Sequence, residues 1–268
     1  MGDTEAQPKL LAIIAGSKSA EILLTLIVYT IYAAVVATSL VPSSFLLITA
    51  TPSVIDATLA GSALRGAVVL ASALAGALYL YLFTGALVQA TLVRLLSLGI
   101  HEGRYPAVSL TTLRWLIYSG VYTISVRTVL PLIPVSFLIN LYFRIVGCRM
   151  GRNVKLNSYN LNDAHLLTIG DDVIVGGQTD VSCHLFEHDH LVLRPISIGS
   201  GTLIGAHSYV SPGVTIGRKC IIGLSSYIRM GREIPDGSTI TSLAGIDVKT
   251  ARHIERGHVV GVRGPAKR

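Results

Sequence analysis

Residues 198–241 read IGSGTLIGAHSYVSPGVTIGRKCIIGLSSYIRMGREIPDGSTIT. Aliphatic side chains return every six positions, at Ile198, Ile204, Val210, Ile216, Ile222, Ile228, Ile234 and Ile240, and Gly follows at 199, 205, 217 and 223. A helix face repeats near 3.6 residues and a half-buried strand at 2, so this period fits neither as one continuous element. Six residues accommodate one short strand and one turn. Three such units close a triangular coil of about 18 residues, and stacked coils bury one another's aliphatic side chains. Gly stands where the backbone bends or packs closely.

The register runs backwards through Ile169, Val175 and Val181, with Gly170 and Gly176 in place. Met150 and Leu156 predict a poorer first coil, whose register slips by one residue before Ile169. The interval from Val181 to Ile198 is read as two six-residue units plus five inserted residues, so a loop leaves the coil around EHDHLVLRPIS at 187–197. Insertions in solenoids commonly build the functional face, and this one is dense in ionisable groups. On that phase His184 and His207 are each fourth in their units, separated by one coil plus the insertion. They are therefore expected on one face in adjacent coils, with Ser225 one coil further on. Two stacked imidazoles beside a polar loop define a proton-transfer site. Glu187 is near enough in sequence to orient His184 or an attacking amine. His165, ahead of the regular coils, is expected to cap or pair locally.

The 268 residues are 51% hydrophobic and 14% charged, with a mean hydropathy of +0.60, too apolar for an ordinary soluble chain. No charge occurs between Glu21 and Asp56, or between Arg65 and Arg94. Two membrane spans are thus expected, near 22–49 and 67–98, joined by a linker at 50–66 that holds Pro52, Asp56 and Arg65. Lys9, Lys18, Arg94, His101 and Arg104 fall on one side of this hairpin and Arg65 on the other, which orients both ends to the cytoplasm. In 103–147 the apolar run is interrupted by Arg114, Arg127, Pro131, Pro134 and Arg144. Two amphipathic helices broken at the prolines and lying at the interface fit those arginines better than a third span. The net charge of +7 suits anionic lipid. No aromatic-basic interleaving points to nucleic acid. Cys148, Cys183 and Cys220 are too dispersed for a disulfide framework or zinc knuckle.

VSCHLFEHDHLVLRPISIGSGTLIGAHSYVSPGVTIG, followed by REIPDGSTITS at 232–242, resembles the hexapeptide-repeat acyltransferases with a left-handed parallel β-helix. A closer likeness, carried by GRYPAVSLTTLRW, LYFRIVGCRMGRNVKL, LLTIGDDVIVG and CHLFEHD, is to the membrane modules of ε-poly-lysine synthetase and related standalone membrane proteins. The resemblance implies a transmembrane hairpin domain at 1–104, interfacial or re-entrant helices at 105–147, a left-handed β-helix at 148–245 and a basic tail at 246–268. It further implies that His184 is the general base, beside which Glu187 and His207, placed by spacing alone, are the expected catalytic neighbours. No tightly bound cofactor or metal is implied. The co-substrate is an acyl-CoA or other phosphopantetheine thioester lying along the late coils of a homotrimer, where Gly205, Gly223, Ser225 and Gly245 fall. SLAGIDVK keeps Gly245 but lacks the family's Pro-Ala, which leaves donor identity open and admits an acyl or peptidyl carrier protein as partner.

The expected function is membrane-anchored transfer of an acyl group, acetyl and aminoacyl among the candidates, to a hydroxyl or amine at the bilayer. Two other readings stay open. One is a non-catalytic trimeric scaffold. The other is a zinc-dependent lyase resembling the β-helical carbonic anhydrases, with ligands drawn from His184, His188, His190 and His207.

Overall fold

The computed structural model describes residues 18–240. The readings made for Lys9, Gly245 and the basic tail at 246–268 lie outside the described residues. The chain divides into two compact units, residues 18–147 with Phe186–Val192, and Cys148–Leu185 with residues 193–240.

The first unit opens with helix α1 (Lys18–Leu59) and helix α2 (Ala63–Ser97). The expected linker at 50–66 is mostly helix. Pro42 and Pro52 lie inside α1, where each removes only one donor from a long ladder. The chain turns instead at Gly61, whose φ of +79° suits a residue following a helix end. Ser62 then caps α2 by accepting the Arg65 amide. Thr25–Leu59 and Ala63–Ser97 are each 35 residues long and apolar enough to cross a membrane, by length and composition. Small residues on α2, among them Ala77, Gly85, Ala86 and Ala90, are buried and let helices approach closely. The Ser43 hydroxyl donates to the Ala77 carbonyl at 2.8 Å and that of Thr84 to the Ser39 carbonyl at 3.0 Å, tying α1 to α2.

Helix α3 (Leu110–Thr128) is capped by Ser109 and helix α4 (Phe137–Val146) by Ser136. Pro131 and Pro134 fall in the break between them, where a short 3-10 turn spans Leu130–Leu132. Gln89 on α2 donates to the Thr128 hydroxyl at 3.3 Å. A strand at Gly103–Pro106 joins a three-stranded sheet in the order 103–106, 190–193, 184–187. Buried Trp115 on α3 meets Phe186 edge-on with ring centroids 5.6 Å apart, and the Ala107 amide donates to the Asp189 carbonyl at 2.6 Å.

The second unit is a β-solenoid of three parallel sheets. The first contains Arg149–Met150, Leu167–Ile169, Ile196–Ile198, Thr215–Ile216 and Glu233–Ile234. The second contains Lys155–Leu156, Ile174–Val175, Leu203–Ile204, Ile221–Ile222 and Thr239–Ile240. The third contains Asn160–Asn162, Asp180–Ser182, Tyr209–Val210 and Tyr227–Ile228. Ile198 pairs with Ile216, Ile204 with Ile222 and Val210 with Ile228, each partner one full turn of the coil further along. All these aliphatic side chains are buried. The first coil is irregular as expected: Met150 pairs with Ile169 and Leu156 with Val175, one position more than the regular spacing.

Gly199 shows why Gly follows the aliphatic position. A Cβ there would lie 2.5 Å from backbone atoms of Gly217 in the next coil, closer than any side chain could be accommodated without separating the coils. Buried hydroxyls fasten the corners between coils. Thr179 donates to the Gly205 carbonyl at 3.0 Å, Thr202 to that of Gly217 at 2.8 Å and Ser208 to that of Gly223 at 3.1 Å.

Candidate active site

The phase assigned to the inserted loop requires correction. Ile198 pairs with Ile169 on one side and with Ile216 on the other, and the chain from Ile169 to Ile198 is much the longer turn. The excursion is the pair of strands His184–Glu187 and His190–Leu193, about twice the expected insertion in length. It leaves directly after the third-sheet strand Asp180–Ser182, and the Arg194 amide closes its base by donating to the Cys183 carbonyl at 2.8 Å. Val210 pairs with Val181 and Ile204 with Val175, which moves His207 one corner away from His184. His207 stands instead in a rank with Gln178 and Ser225. All three have positive φ, at +56°, +58° and +54° for 178, 207 and 225, and the His207 amide donates to the Gly177 carbonyl at 2.9 Å. Imidazole side chains tolerate this left-handed region better than most, so His207 serves the turn. The expected stacking of two imidazoles does not occur. Aliphatic periodicity alone cannot tell whether the interval from Val181 to Ile198 uses one coil unit or two, since either leaves the downstream register unchanged.

The actual neighbour of His184 is Asp163. Its carboxylate Oδ2 lies 2.5 Å from His184 Nδ1, 21 positions along the chain and one coil away. Asp163 holds φ at +56° and caps the 3-10 turn Ala164–Leu166 in backbone position, although its side chain makes no capping bond. It is thereby turned inward, with its side chain 1% exposed, while the His184 side chain is 25% exposed. A carboxylate this buried needs a partner. Nδ1–H of His184 donating to it directs the imidazole's other nitrogen, Nε2, to act as proton acceptor. Ser182 Oγ lies 3.3 Å from the same Nδ1 and donates to the His184 carbonyl at 3.1 Å. Asp163 lacks a sequence signal: it falls in the irregular first coil, outside the six-residue register. His165 is the middle residue of this 3-10 turn.

Two polar residues border the dyad. Asp180 accepts from the Asn162 amide at 3.0 Å, and burial pushes its carboxyl pKa above the usual carboxylate range, a shift opposed by the Asn162 bond and the charge of His184. The Tyr209 hydroxyl is hydrogen-bonded to Ser182, and burial followed by the charge of Asp180 raises its pKa. Cys183 is fully buried, and burial together with Asp163 holds its thiol well above the ordinary cysteine range. It is a packing residue unsuited to act as a nucleophile.

Glu187 and His188 lie on the part of the excursion that belongs to the first unit, with Glu187 half-buried and His188 exposed at φ +53°. His190 Nδ1 is paired with Asp189 Oδ1 at 2.6 Å. That bond is the leading cause holding the Asp189 carboxyl below its usual range. Among the described residues, no three His, Cys, Asp or Glu side chains converge as metal ligands. Gly205 and Gly223 occupy equivalent corners in successive coils, and Ser225 follows at the exposed tip of the later one.

The coil and its inserted His184 loop define a hexapeptide-repeat domain, and residues 195–240 match the family described as the hexapeptide repeat of succinyl-transferase. The chain is 31% identical over 147 residues to delta-poly-L-ornithine synthetase of Acinetobacter baumannii (strain AB307-0294), covering 55% of this chain and 11% of that protein. It is 32% identical over 114 residues to galactoside O-acetyltransferase of Escherichia coli (strain K12), covering 39% of this chain and 53% of the relative. The chain thus spans about a tenth of the length of the first and about half that of the second. A hexapeptide-repeat acetyltransferase from Vibrio cholerae, crystallised with acetyl coenzyme A, aligns at 24% identity over 35% of this chain and 55% of its own, with a TM-score of 0.33.

Proposed function

We propose that this protein is a membrane-anchored acyltransferase in which His184 is the general base and Asp163 positions it. The observation that carries the proposal is the 2.5 Å contact between the buried Asp163 carboxylate and His184 Nδ1 on a hexapeptide-repeat coil. The donor is an acyl-CoA or another phosphopantetheine thioester, presented free or on a carrier protein. The acceptor is a hydroxyl or amine at the membrane. His184 Nε2 takes the acceptor's proton as its oxygen or nitrogen attacks the thioester carbonyl carbon. The C–S bond of the tetrahedral intermediate then breaks, and the imidazolium returns the proton to the departing thiolate. Asp163 remains ionised throughout and stabilises the imidazolium. The name of the ornithine-polymer synthetase supports an amine acceptor or aminoacyl group, and that of the galactoside enzyme supports a hydroxyl and acetyl.

In this reading α1 and α2 form the transmembrane hairpin, α3 and α4 lie at the cytoplasmic interface, and the coil is left-handed and cytoplasmic. The length and apolar composition of both helices support the anchoring. A homotrimer is supported by the exposed ladder Ile174–Leu203–Ile221 on the second sheet, an apolar stripe that no described residue covers. Detergent-purified protein incubated with labelled acyl-CoAs and a lipid extract tests the whole proposal by mass-shifted products. Transfer that persists unchanged in His184→Ala would remove the assigned base. The absence of any acylated product, together with an intact trimer, would favour a scaffold.

A further inference from the structure

Helix α3 runs back along α2. Near its start the Arg114 guanidinium donates to the Leu98 carbonyl at 2.6 Å, at the end of α2. At its far end Gln89 bonds Thr128 at 3.3 Å, and a Cβ added at Gly85 would lie 2.9 Å from the Val129 side chain. From Arg114 to Val129, and from Leu98 back to Gly85, the two helices each rise about 20 Å, so they lie side by side in opposite directions. Val28 and Ile31 of α1 share a small cavity with Ile117, Gly120, Val121 and Ile124 of α3. The turn that joins α3 to α4 is therefore level with Gly85.

This turn is apolar and uncovered. No charged side chain occurs between Arg127 and Arg144. Leu132, Val135 and Phe137 are 57%, 55% and 71% exposed, and Pro134 among them is exposed as well. The backbone does not call for these side chains. Val135 holds φ at +48°, where a β-branched residue is strained and Gly or Asn would serve the turn better. An exposed apolar cluster kept at that cost marks an interaction surface. Arg127 stands about one helical turn before the cluster, exposed, and among the described residues no carboxylate pairs with it.

The level of the turn is also that of a bilayer edge. Arg65 lies in the first turn of α2, and Asp56 in the last stretch of α1, on either side of the Gly61 turn. From Arg65 to Gly85 the helix rises about 30 Å, the thickness of the hydrocarbon layer. With Asp56 and Arg65 among the far headgroups, the near boundary falls at Gly85. Apolar side chains at that boundary, with a cation one turn towards the headgroups, are the arrangement by which amphipathic elements hold lipid. A second copy meeting the cluster face to face would bring two unpaired guanidinium groups together, which charge repulsion opposes.

Resting on the anchoring reading above, we propose that the turn between α3 and α4 is a lipid-binding wedge. Leu132, Val135 and Phe137 enter the near edge of the hydrocarbon, and Arg127 holds an anionic phospholipid headgroup.

The test uses the full chain in vesicles of phosphatidylcholine and phosphatidylglycerol. Trp115→Phe removes the single native tryptophan, and Phe137→Trp places an indole in the turn. Lipids brominated near the headgroup end of the chain should quench this indole about twofold more than lipids brominated at mid-chain, and iodide should not reach it. Leu74→Trp, at an exposed position about halfway between Arg65 and Gly85, reports on the anchoring and should show the reverse order. Brominated phosphatidylglycerol should quench the indole at 137 more than brominated phosphatidylcholine, by up to about fivefold, the enrichment that one cation gives at an anionic surface. Arg127→Gln should remove most of that preference and Arg127→Lys should keep it. A nitroxide on Phe137→Cys repeats the depth reading without touching Trp115, since Cys148, Cys183 and Cys220 are buried. An indole at 137 that iodide reaches, while the one from Leu74→Trp is quenched by lipid, overturns the wedge and leaves the anchoring intact. Shielding from iodide without quenching by any bromine means that protein, a second copy included, covers the turn, and overturns the wedge as well. No quenching at either position overturns the anchoring reading and the wedge with it. A headgroup preference untouched by Arg127→Gln overturns the role given to that arginine.

Discussion

Asp163 and His184 stand 2.5 Å apart across neighbouring coils, the carboxylate buried and the imidazole partly exposed. The arrangement selects one tautomer before any substrate arrives. Asp163→Asn removes the charge and allows the amide to present its N–H to Nδ1, which reverses the tautomer and makes Nε2 a donor. Transfer should fall by about 10²-fold or more, mainly in kcat. His184→Ala should fall at least as far, and the double variant little further, because the pair acts as one unit. Initial rates over a range of acceptor concentrations check this. If Asp163→Asn affected only KM, the carboxylate would have a different role.

His207 offers the contrasting case. Its φ of +58° and its rank beside Gln178 and Ser225 tie it to the corner. His207→Asn, which accepts the same backbone region, should leave both the melting temperature and the transfer rate near those of the parent. His207→Val should lower the melting temperature, since a β-branched residue is strained there. A large loss of rate with an unchanged melting temperature in His207→Asn would return this imidazole to the reaction.

Stability should respond to pH through Asp180. Its folded pKa is raised by burial, so between the ordinary aspartate value and that raised value the folded state holds more protons than the unfolded. Stability therefore declines as pH rises through this window and is recovered on acidification. Asp180→Asn removes that cost while keeping an acceptor for Asn162. It should melt slightly higher than the parent at neutral pH, and the gap should shrink as pH falls through the window. Melting curves collected across that range decide the sign.

The coil itself is vulnerable at two kinds of position. Ile222 is fully buried, and Ile222→Ala should cost about 2–5 kcal/mol in chemical denaturation, the cost of a core cavity. Gly199→Ala brings a methyl group against the Gly217 backbone, so the coils must part. That substitution should lower the melting temperature more than Gly237→Ala, where no described atom lies within 4 Å of an added Cβ and only the φ of +68° is strained.

Self-association through the second sheet is open to a direct check. Leu203→Lys and Ile221→Lys each place a charge in the exposed aliphatic ladder. If the proposed trimer forms through this face, light scattering after size exclusion should show it replaced by smaller species in the double variant. An unaltered mass would place the subunit contact on another face.

The coil was legible because its cause is periodic. Each aliphatic residue at the six-residue positions, such as Ile198, Ile204 and Val210, must face the axis, and the closeness of the next coil excludes side chains at Gly199. The break at Pro131–Pro134 was legible for a similar local reason. The linker expected around Pro52 was not, because a proline inside a long helix costs one hydrogen bond and need not end it; the Gly61 turn does so. The site was legible only in part. His184 stands out at the start of the loop, but Asp163 lies in a coil whose spacing is irregular.

The sequence by itself determined the solenoid, its six-residue register, the two long apolar helices and the presence of a loop between Val181 and Ile198. Those follow from side-chain type and interval along the chain. The tertiary structure decided which corner the loop leaves from, and hence that His184 faces Asp163 and stands apart from His207. That choice depends on the pairing of Ile198 with Ile169 and of Val210 with Val181. An insertion of any length that returns to register preserves the pattern while changing which residues meet, so strand pairing across coils, and not spacing within them, assembled the site.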